Sequence, residues 1–204
     1  TTASNNVAVG YQALGTNTTG ATNVSVGGSS LLNNTIGTDN VAVGAGSGIT
    51  NITGNGNTFV GREAGYYATG SGNVIMGSNN GSSYAPVFDV TSASNRVVMG
   101  STSVTNAYIQ VAWTVVSDLR DKVILGDVPL GLDFVRKLKP IKYQFKENRE
   151  SNTPHGAVKY GFGAQDVLAE EGDSPVIVDT EMAEKLKITD SHMMPVFANA
   201  IKEM

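Results

Sequence analysis

The first half of the chain repeats itself at a fixed interval of 17 residues. The segment Asn6-Val7-Ala8-Val9-Gly10 returns at 23–27 and 40–44, and weaker copies follow at 57–61, 73–77 and 97–100. A second glycine series, at positions 20, 37, 54 and 70, keeps nearly the same step. Fixed self-similarity of this kind indicates stacked units, each too thin to fold alone.

Each copy of the repeat has the pattern of a short strand followed by turns. Side chains alternate along a strand, so Val7 and Val9 share one face and Ala8 takes the other. Glycine tolerates the positive φ of tight corners, which suits Gly10 and Gly20. Stacking in register gives a β-solenoid or β-roll that rises about 4.8 Å per coil. We therefore predict a mainly β repeat segment over residues 1–100.

Such a solenoid has little apolar material for a core of its own. Each coil supplies only a few sizeable apolar side chains, so we expect burial against identical chains. The residue between the two valines is small at Ala8 but large at Phe59 and Ile75. The packing is therefore expected to change along the axis of a homo-oligomer.

Charge is distributed very unevenly along the chain. Only five of the 32 charged side chains precede residue 118, and the other 27 lie in residues 118–204. The Gly, Asn, Ser and Thr content of the first part would by itself suggest disorder, but the periodicity favours an ordered repeat. The formal net charge of −4 argues against a nucleic-acid partner.

Several further classes of function receive no support from the composition. The chain has no Cys, which excludes disulfides and thiolate metal sites. No run of about 18 apolar residues is present, so membrane insertion is not predicted. His155 and His192 lack a ligand cluster around them, so we predict neither a metal nor a cofactor.

The repeat resembles the head repeats of trimeric autotransporter adhesins, which carry similar Asn-x-Val-x-Val-Gly units. The resemblance covers roughly residues 5–80. It implies a trimer of β-rolls on an extracellular or virion surface. Two roles stay open for the segment: a structural spacer, or a surface that binds a host glycan or protein receptor.

A junction and a second domain follow the repeat. Residues 108–116 are β-branched and aromatic, which predicts a strand within a junction over 101–117. Residues 118–204 are predicted as a small α+β domain: Leu132, Val135 and Leu138 fall at helical spacing, and Pro140 ends that helix. Further elements are expected over 141–145, 160–164, 165–171 and 176–178, with Gly172 as a helix C-cap.

The chain ends in a predicted helix that opens an apolar seam. The helix is expected to begin near Asp190 or Ser191, with Pro195 in its first turn. Its apolar side chains step by 3, 4 and 3 residues, which suits a helical bundle or coiled coil of several chains. These residues are Met194, Phe197, Ile201 and Met204.

One ordered set of residues carries chemistry. It begins with Ser117-Asp118-x-Arg120-x-Lys122 and continues through 131–135, Leu138, Pro140, Tyr143, 161–167 and 200–203. The set resembles the intramolecular chaperone auto-processing domain of phage tail fibres, tailspikes and endosialidases, and the resemblance covers residues 115–204. It implies a domain that drives trimerisation of the preceding fibre and then cuts itself off between Ser117 and Asp118.

The resemblance also assigns roles to individual residues. Ser117 would be the catalytic serine and Lys122 its dyad partner, with Arg120 and Gln165 as supporting residues. A serine hydroxyl needs a base to take its proton, and a lysine can serve only when it is neutral. Burial and a nearby cation favour neutral lysine, so we hypothesise that assembly of three chains creates the active form.

The sequence is thus predicted to be the C-terminal part of a phage tail fibre or tailspike, assembled in the host cytoplasm and located on the virion. It would act as an autoproteolytic serine peptidase with a single cut. The alternative is a trimeric adhesion or structural fibre protein that does not cleave. A glycan-degrading tailspike is poorly supported, because Asp39 and Glu63 are the only acidic residues before residue 80.

Overall fold

The computed structural model describes residues 3–77, 91–101, 104, 106–147, 149–181 and 183–204. The chain divides into two compact units, Thr1–Ala107 and Tyr108–Met204. The division falls inside the segment 101–117 that the sequence predicts as a junction. Residues 78–90, which the sequence analysis places in the repeat segment, lie outside the described residues.

The first unit is a parallel β-solenoid. Its strands are β1 Val7–Val9, β2 Val24–Val26, β3 Val41–Val43, β4 Thr58–Val60, β5 Val74–Met76 and β6 Val97–Met99. Each strand pairs in parallel with the next one along the chain, so that Val7 lies opposite Val24 and Val24 opposite Val41. Equal steps of 17 residues allow this register from β1 to β4, because the same backbone groups return above one another. The register continues to β5 and β6 although those steps are 16 and 23 residues. The predicted β-solenoid is confirmed.

The middle residue of each strand points into the solenoid, and the two flanking residues point outward. Ala42, Phe59 and Ile75 are buried, whereas Val9 is 56% exposed. The large Phe59 ring fits because Gly48 and Gly65 leave room for it: a Cβ at either glycine would lie 2.5 or 2.4 Å from the ring. In the preceding coils the position of Gly48 holds leucine instead. Along the solenoid, leucine at the position of Gly48 thus gives way to glycine, and the small residue at the position of Phe59 gives way to phenylalanine.

Buried asparagines hold the coils together. In the middle of the solenoid, the Asn40 amide nitrogen donates to Asn23 Oδ1 at 3.0 Å and to the Gly54 carbonyl at 2.8 Å. Asn40 Oδ1 in turn accepts from the backbone N–H and the side-chain amide of Asn57, both at 3.0 Å. The glycines at this corner are required by space, since a Cβ on Gly37 would lie 2.5 Å from the Gly54 carbonyl oxygen. The periodic Asn and Gly are thus explained by one repeated hydrogen-bond pattern.

The second unit is the predicted small α+β domain. A 3-10 helix (Leu119–Asp121) and α1 (Leu132–Lys137) precede the antiparallel hairpin of β7 (Pro140–Lys146) and β8 (Pro154–Phe162). Helix α2 (Ala164–Glu171), the antiparallel pair β9 (Val178–Asp179) and β10 (Lys187–Ile188), and α3 (Asp190–Lys202) follow. Their apolar faces form one core, which contains Phe134, Val167, Ile177, Val178, Met193 and Val196.

Two carboxylates tie these elements together through backbone N–H groups. Glu203 accepts a hydrogen bond from the Leu132 N–H at 2.6 Å. This bond gives a partner to one of the N–H groups at the start of α1 that have none within the helix. Glu171 accepts from three consecutive N–H groups, those of residues 176–178, at 2.7 to 2.9 Å. Glu171 therefore links α2 to the segment that leads into β9. Gly172 caps α2 with a φ of 79°, as predicted.

Three sequence predictions need correction. The strand predicted over 108–116 is not formed, because a strand needs a backbone partner and the described residues provide none for this segment. The alternation of Ile141, Tyr143 and Phe145 predicts a half-buried strand, and β7 does form there. Only Tyr143 is half-buried, because no described residue covers the hairpin. Pro195 is the sixth residue of α3, hence in its second turn and not its first.

No helix among the described residues is long and apolar enough to cross a membrane.

Candidate functional site

A tight local turn forms the predicted junction. The Asp118 carboxylate caps the 3-10 helix by accepting from the Arg120 N–H at 2.9 Å. The backbone closes behind it, since the Asp121 N–H donates to the Asp118 carbonyl and the Lys122 N–H to the Leu119 carbonyl, both at 3.2 Å. The turn folds the chain back on itself. It therefore places Lys122 beside Ser117, five residues earlier.

The Ser117 hydroxyl and the Lys122 amine are in direct contact. Lys122 Nζ lies 2.5 Å from Ser117 Oγ, and both side chains are exposed. A protonated lysine donates to the hydroxyl in this geometry. A neutral lysine in the same place could accept the hydroxyl proton, which is the first requirement of a serine–lysine dyad.

Arg120 is bound to Asp118 and not to Lys122. Its Nε donates to both Asp118 carboxylate oxygens at 3.1 Å, and its Nη2 donates to Oδ2 at 2.6 Å. The Arg120 side chain, and then its backbone N–H, lower the pKa of Asp118 below the ordinary value of 3.8. Asp118 raises the pKa of Arg120 in return. The pair is formed within three residues, and its arginine is 88% exposed.

Gln165, predicted as a supporting residue, lies in a different element from this cluster. It is exposed at the second position of α2, and no hydrogen bond among the described residues joins it to Ser117 or Lys122. Asp118, Arg120 and the dyad residues are all contained in the turn. The structure thus brings together four of the five predicted site residues within residues 117–122.

The sequence analysis missed the pairing of Asp118 with Arg120. In the sequence analysis Arg120 is a supporting residue and Asp118 is one side of the junction, with no pairing between them. The missed signal is an aspartate at a helix N-cap with an arginine two residues later, a spacing at which backbone and side chain can both be bonded. The described residues hold no cluster of His, Asp and Glu suited to a metal ion.

Comparison with known proteins agrees with the position of the site. Residues 117–173 match the family described as chaperone of endosialidase. The match spans 57 of the 204 residues and begins at the serine of the predicted junction. This segment is similar to the endosialidase-type chaperone family, and it follows a β-solenoid built from repeats of about 17 residues. No curated protein and no solved structure matches the chain significantly.

Proposed function

We propose that this chain is the C-terminal part of a homotrimeric phage tail fibre or tailspike whose terminal domain assembles the fibre and then releases itself. The observation that carries the proposal is the contact of 2.5 Å between Lys122 Nζ and Ser117 Oγ. That contact lies at the first residue of the segment that matches the chaperone family. A chaperone domain with a base beside a serine has the means to cut its own chain.

The proposed reaction is hydrolysis of the peptide bond between Ser117 and Asp118. The C–N bond breaks and one water is consumed: its oxygen ends on the Ser117 carbonyl carbon, and a proton ends on the Asp118 nitrogen. Attack by Ser117 Oγ on its own carbonyl would close a highly strained lactone ring. Within one chain, we therefore propose that neutral Lys122 activates the water through the Ser117 hydroxyl and that its ammonium then protonates the leaving nitrogen.

Exposed apolar surface supports trimerisation. The outward positions of the solenoid strands form two apolar columns, which include Val7, Val9 and Val43. Trp113 is 74% exposed, and the residues around it pair with no strand among the described residues. Large exposed apolar patches mark interaction surfaces, and identical chains are the partner that a repeated, uncharged surface fits.

The terminal unit exposes apolar groups in the same way. Phe145 and Val158 on the hairpin, and Met194 and Ile201 on α3, are all more than half exposed. The α3 residues are those that the sequence predicts as an interchain seam. Association through these surfaces would remove water from the turn, which favours the neutral form of a lysine. The proposed order of events is therefore assembly first and cleavage second.

A cut made after assembly would leave the solenoid in the virion and discard its chaperone. Loss of the covalent link removes the easy reverse path, so the fibre would be kinetically stable. The class of partner that we propose for the retained solenoid is a host-surface glycan or protein receptor.

The test is expression of the chain, followed by a denaturing gel and mass spectrometry. We expect pieces of 117 and 87 residues, with masses that place the cut between Ser117 and Asp118. Ser117→Ala and Lys122→Ala should each leave one intact band. Ser174→Ala and Lys146→Ala alter exposed residues of the same types and should cleave like the unaltered chain.

A single intact band from the unaltered chain, found in assembled trimers, would instead establish the non-cleaving fibre protein. Sedimentation of the Ser117→Ala chain tests the assembly separately. A mass of three chains supports the homotrimer, and a mass of one chain rejects it.

A further inference from the structure

We infer that Asp118 and Arg120 form a positioning clamp that holds the serine–lysine dyad together. This inference deepens the proposed function and rests on it. The clamp does not touch the bond to be cut through its side chains. It keeps the turn folded, and it keeps the Asp118 carboxylate from pairing with the Lys122 amine.

The first observation is geometric. The Asp118 carboxylate binds the Arg120 backbone N–H at 2.9 Å and the Arg120 side chain through Nε and Nη2. One carboxylate therefore fixes both the backbone and the side chain two residues away. The 3-10 helix that follows is three residues long and has no buried residue, so packing contributes little to its stability. Together with the two backbone hydrogen bonds of the turn, the clamp restrains the fold-back that brings Lys122 to Ser117.

The second observation concerns charge. The charged groups that neighbour Lys122 are Asp118, Arg120 and Asp121, all from its own turn. Its amine contacts no carboxylate and no charged group of another element in the described part of the chain. A carboxylate paired with the amine would favour the ammonium form, which cannot act as a base. Arg120 prevents this pairing for Asp118 by occupying both of its oxygens.

These observations assign two effects to Arg120. It keeps the turn folded, and it withholds the Asp118 carboxylate from Lys122. Replacement by glutamine removes both effects. Replacement by lysine keeps a cation for the carboxylate but loses the planar, forked geometry.

The experiment follows cleavage during refolding of the full chain over a range of pH, with quenched samples read on a denaturing gel. We expect Arg120→Gln to slow cleavage at least about tenfold, because small misplacements of reacting groups are costly. Its pH–rate profile should also move to higher pH, because the freed carboxylate favours the ammonium form of the base. Arg120→Lys should recover part of the rate.

The double variant Asp118→Asn with Arg120→Gln separates the two effects. It removes the freed carboxylate, so its pH–rate profile should return toward that of the unaltered chain while the rate stays low. Arg136→Gln is the matched control, because Arg136 pairs with Asp133 on an exposed face of α1. This variant should cleave at the rate of the unaltered chain.

Three outcomes would overturn the clamp. Arg120→Gln could cleave at the normal rate, or it could cleave slowly with an unmoved pH–rate profile, which would indicate a merely structural role. Absence of cleavage in the unaltered chain would overturn the clamp and the proposed function together. The first two outcomes leave the proposed function standing, so the two failures are distinguishable.

Discussion

The two units of this protein differ in whether they bury polar side chains. Among the described residues, the solenoid buries six asparagines and three serines, whereas no polar side chain of the terminal unit is fully buried. In the solenoid one hydrogen-bond pattern repeats from coil to coil along the asparagines at 23, 40, 57 and 73. The second buried series is less complete, since the Oδ1 atoms of Asn34 and Asn51 have no partner among the described residues. The terminal unit has no repeat, and its core is built from apolar side chains alone.

Repetition allows a small core to contain buried polar side chains. An unpaired buried amide is costly, but a stack of identical coils supplies donors and acceptors in register without special design at each position. A domain without a repeat keeps its polar groups at the surface. Its ionisable pairs consequently lie at the surface, both within a turn, as for Asp118 with Arg120, and between elements, as for Lys137 with Glu170.

Loss of one core side chain from the terminal unit should have the largest effect. Phe134 is 6% exposed, and Phe134→Ala should lower the free energy of unfolding by about 4 kcal/mol. Hydrogen exchange followed by mass spectrometry, in a Ser117→Ala background, would report the two units separately. We expect faster exchange in peptides of the terminal unit and unchanged exchange in the solenoid.

The matched control for this variant is Phe145→Ala, on the exposed hairpin. In a chain kept monomeric it should cost far less than Phe134→Ala. Equal loss of protection in both units after Phe134→Ala would contradict the view that each unit has its own core.

A break in the asparagine ladder should have a somewhat smaller effect. Asn40→Ala leaves the Asn57 N–H without its partner inside the solenoid and removes one of the two donors to the Gly54 carbonyl, the other being Asn51. At about 1–3 kcal/mol for each buried group, we expect a loss of about 3 kcal/mol, measured by denaturant unfolding. Asn33→Ala, at an exposed position of the preceding coil, should stay within about 0.5 kcal/mol of the unaltered chain. Similar losses in the two variants would show that the ladder is not what holds the coils.

The smallest effect is expected at the exposed pair in the turn. The pKa of Asp118 is lowered by Arg120, so the pair stabilises the folded turn above the ordinary carboxyl pKa of 3.8. That stabilisation should be lost as the pH falls through the lowered value. Titration of the Asp118 carboxyl carbon by NMR should give a midpoint below 3.8, and Arg120→Gln should return it to the ordinary range. A midpoint unchanged by Arg120→Gln would mean that the pair does not form in solution.

Much of the architecture could be predicted from the sequence because it is periodic. The spacing of Gly10, Gly27 and Gly44 predicts the coil, and the alternation of Val7, Ala8 and Val9 predicts the strand. Local signals were also sufficient for α1 and for the Gly172 cap of α2. The position of the site followed from an ordered set of residues that begins at Ser117.

Other features depend on contacts between distant residues, and no local pattern reveals them. The fit of the Phe59 ring into the space left by Gly65 becomes visible only when the coils are stacked. Glu171 accepts hydrogen bonds from three N–H groups outside its own helix, those of residues 176–178. The strand predicted over 108–116 fails for a related reason, since propensity cannot supply the backbone partner that a strand needs.

The sequence by itself determined the period of the solenoid, the boundary where charge begins and the residue types of the candidate dyad. These properties are local or repetitive, so they need no knowledge of which segments meet. Only the tertiary structure decided that Lys122 reaches Ser117, that Arg120 is occupied by Asp118, and that the valine columns face outward. Those properties depend on the direction in which a turn folds back and on which face of a strand is covered, and both are set by packing and hydrogen bonds between segments.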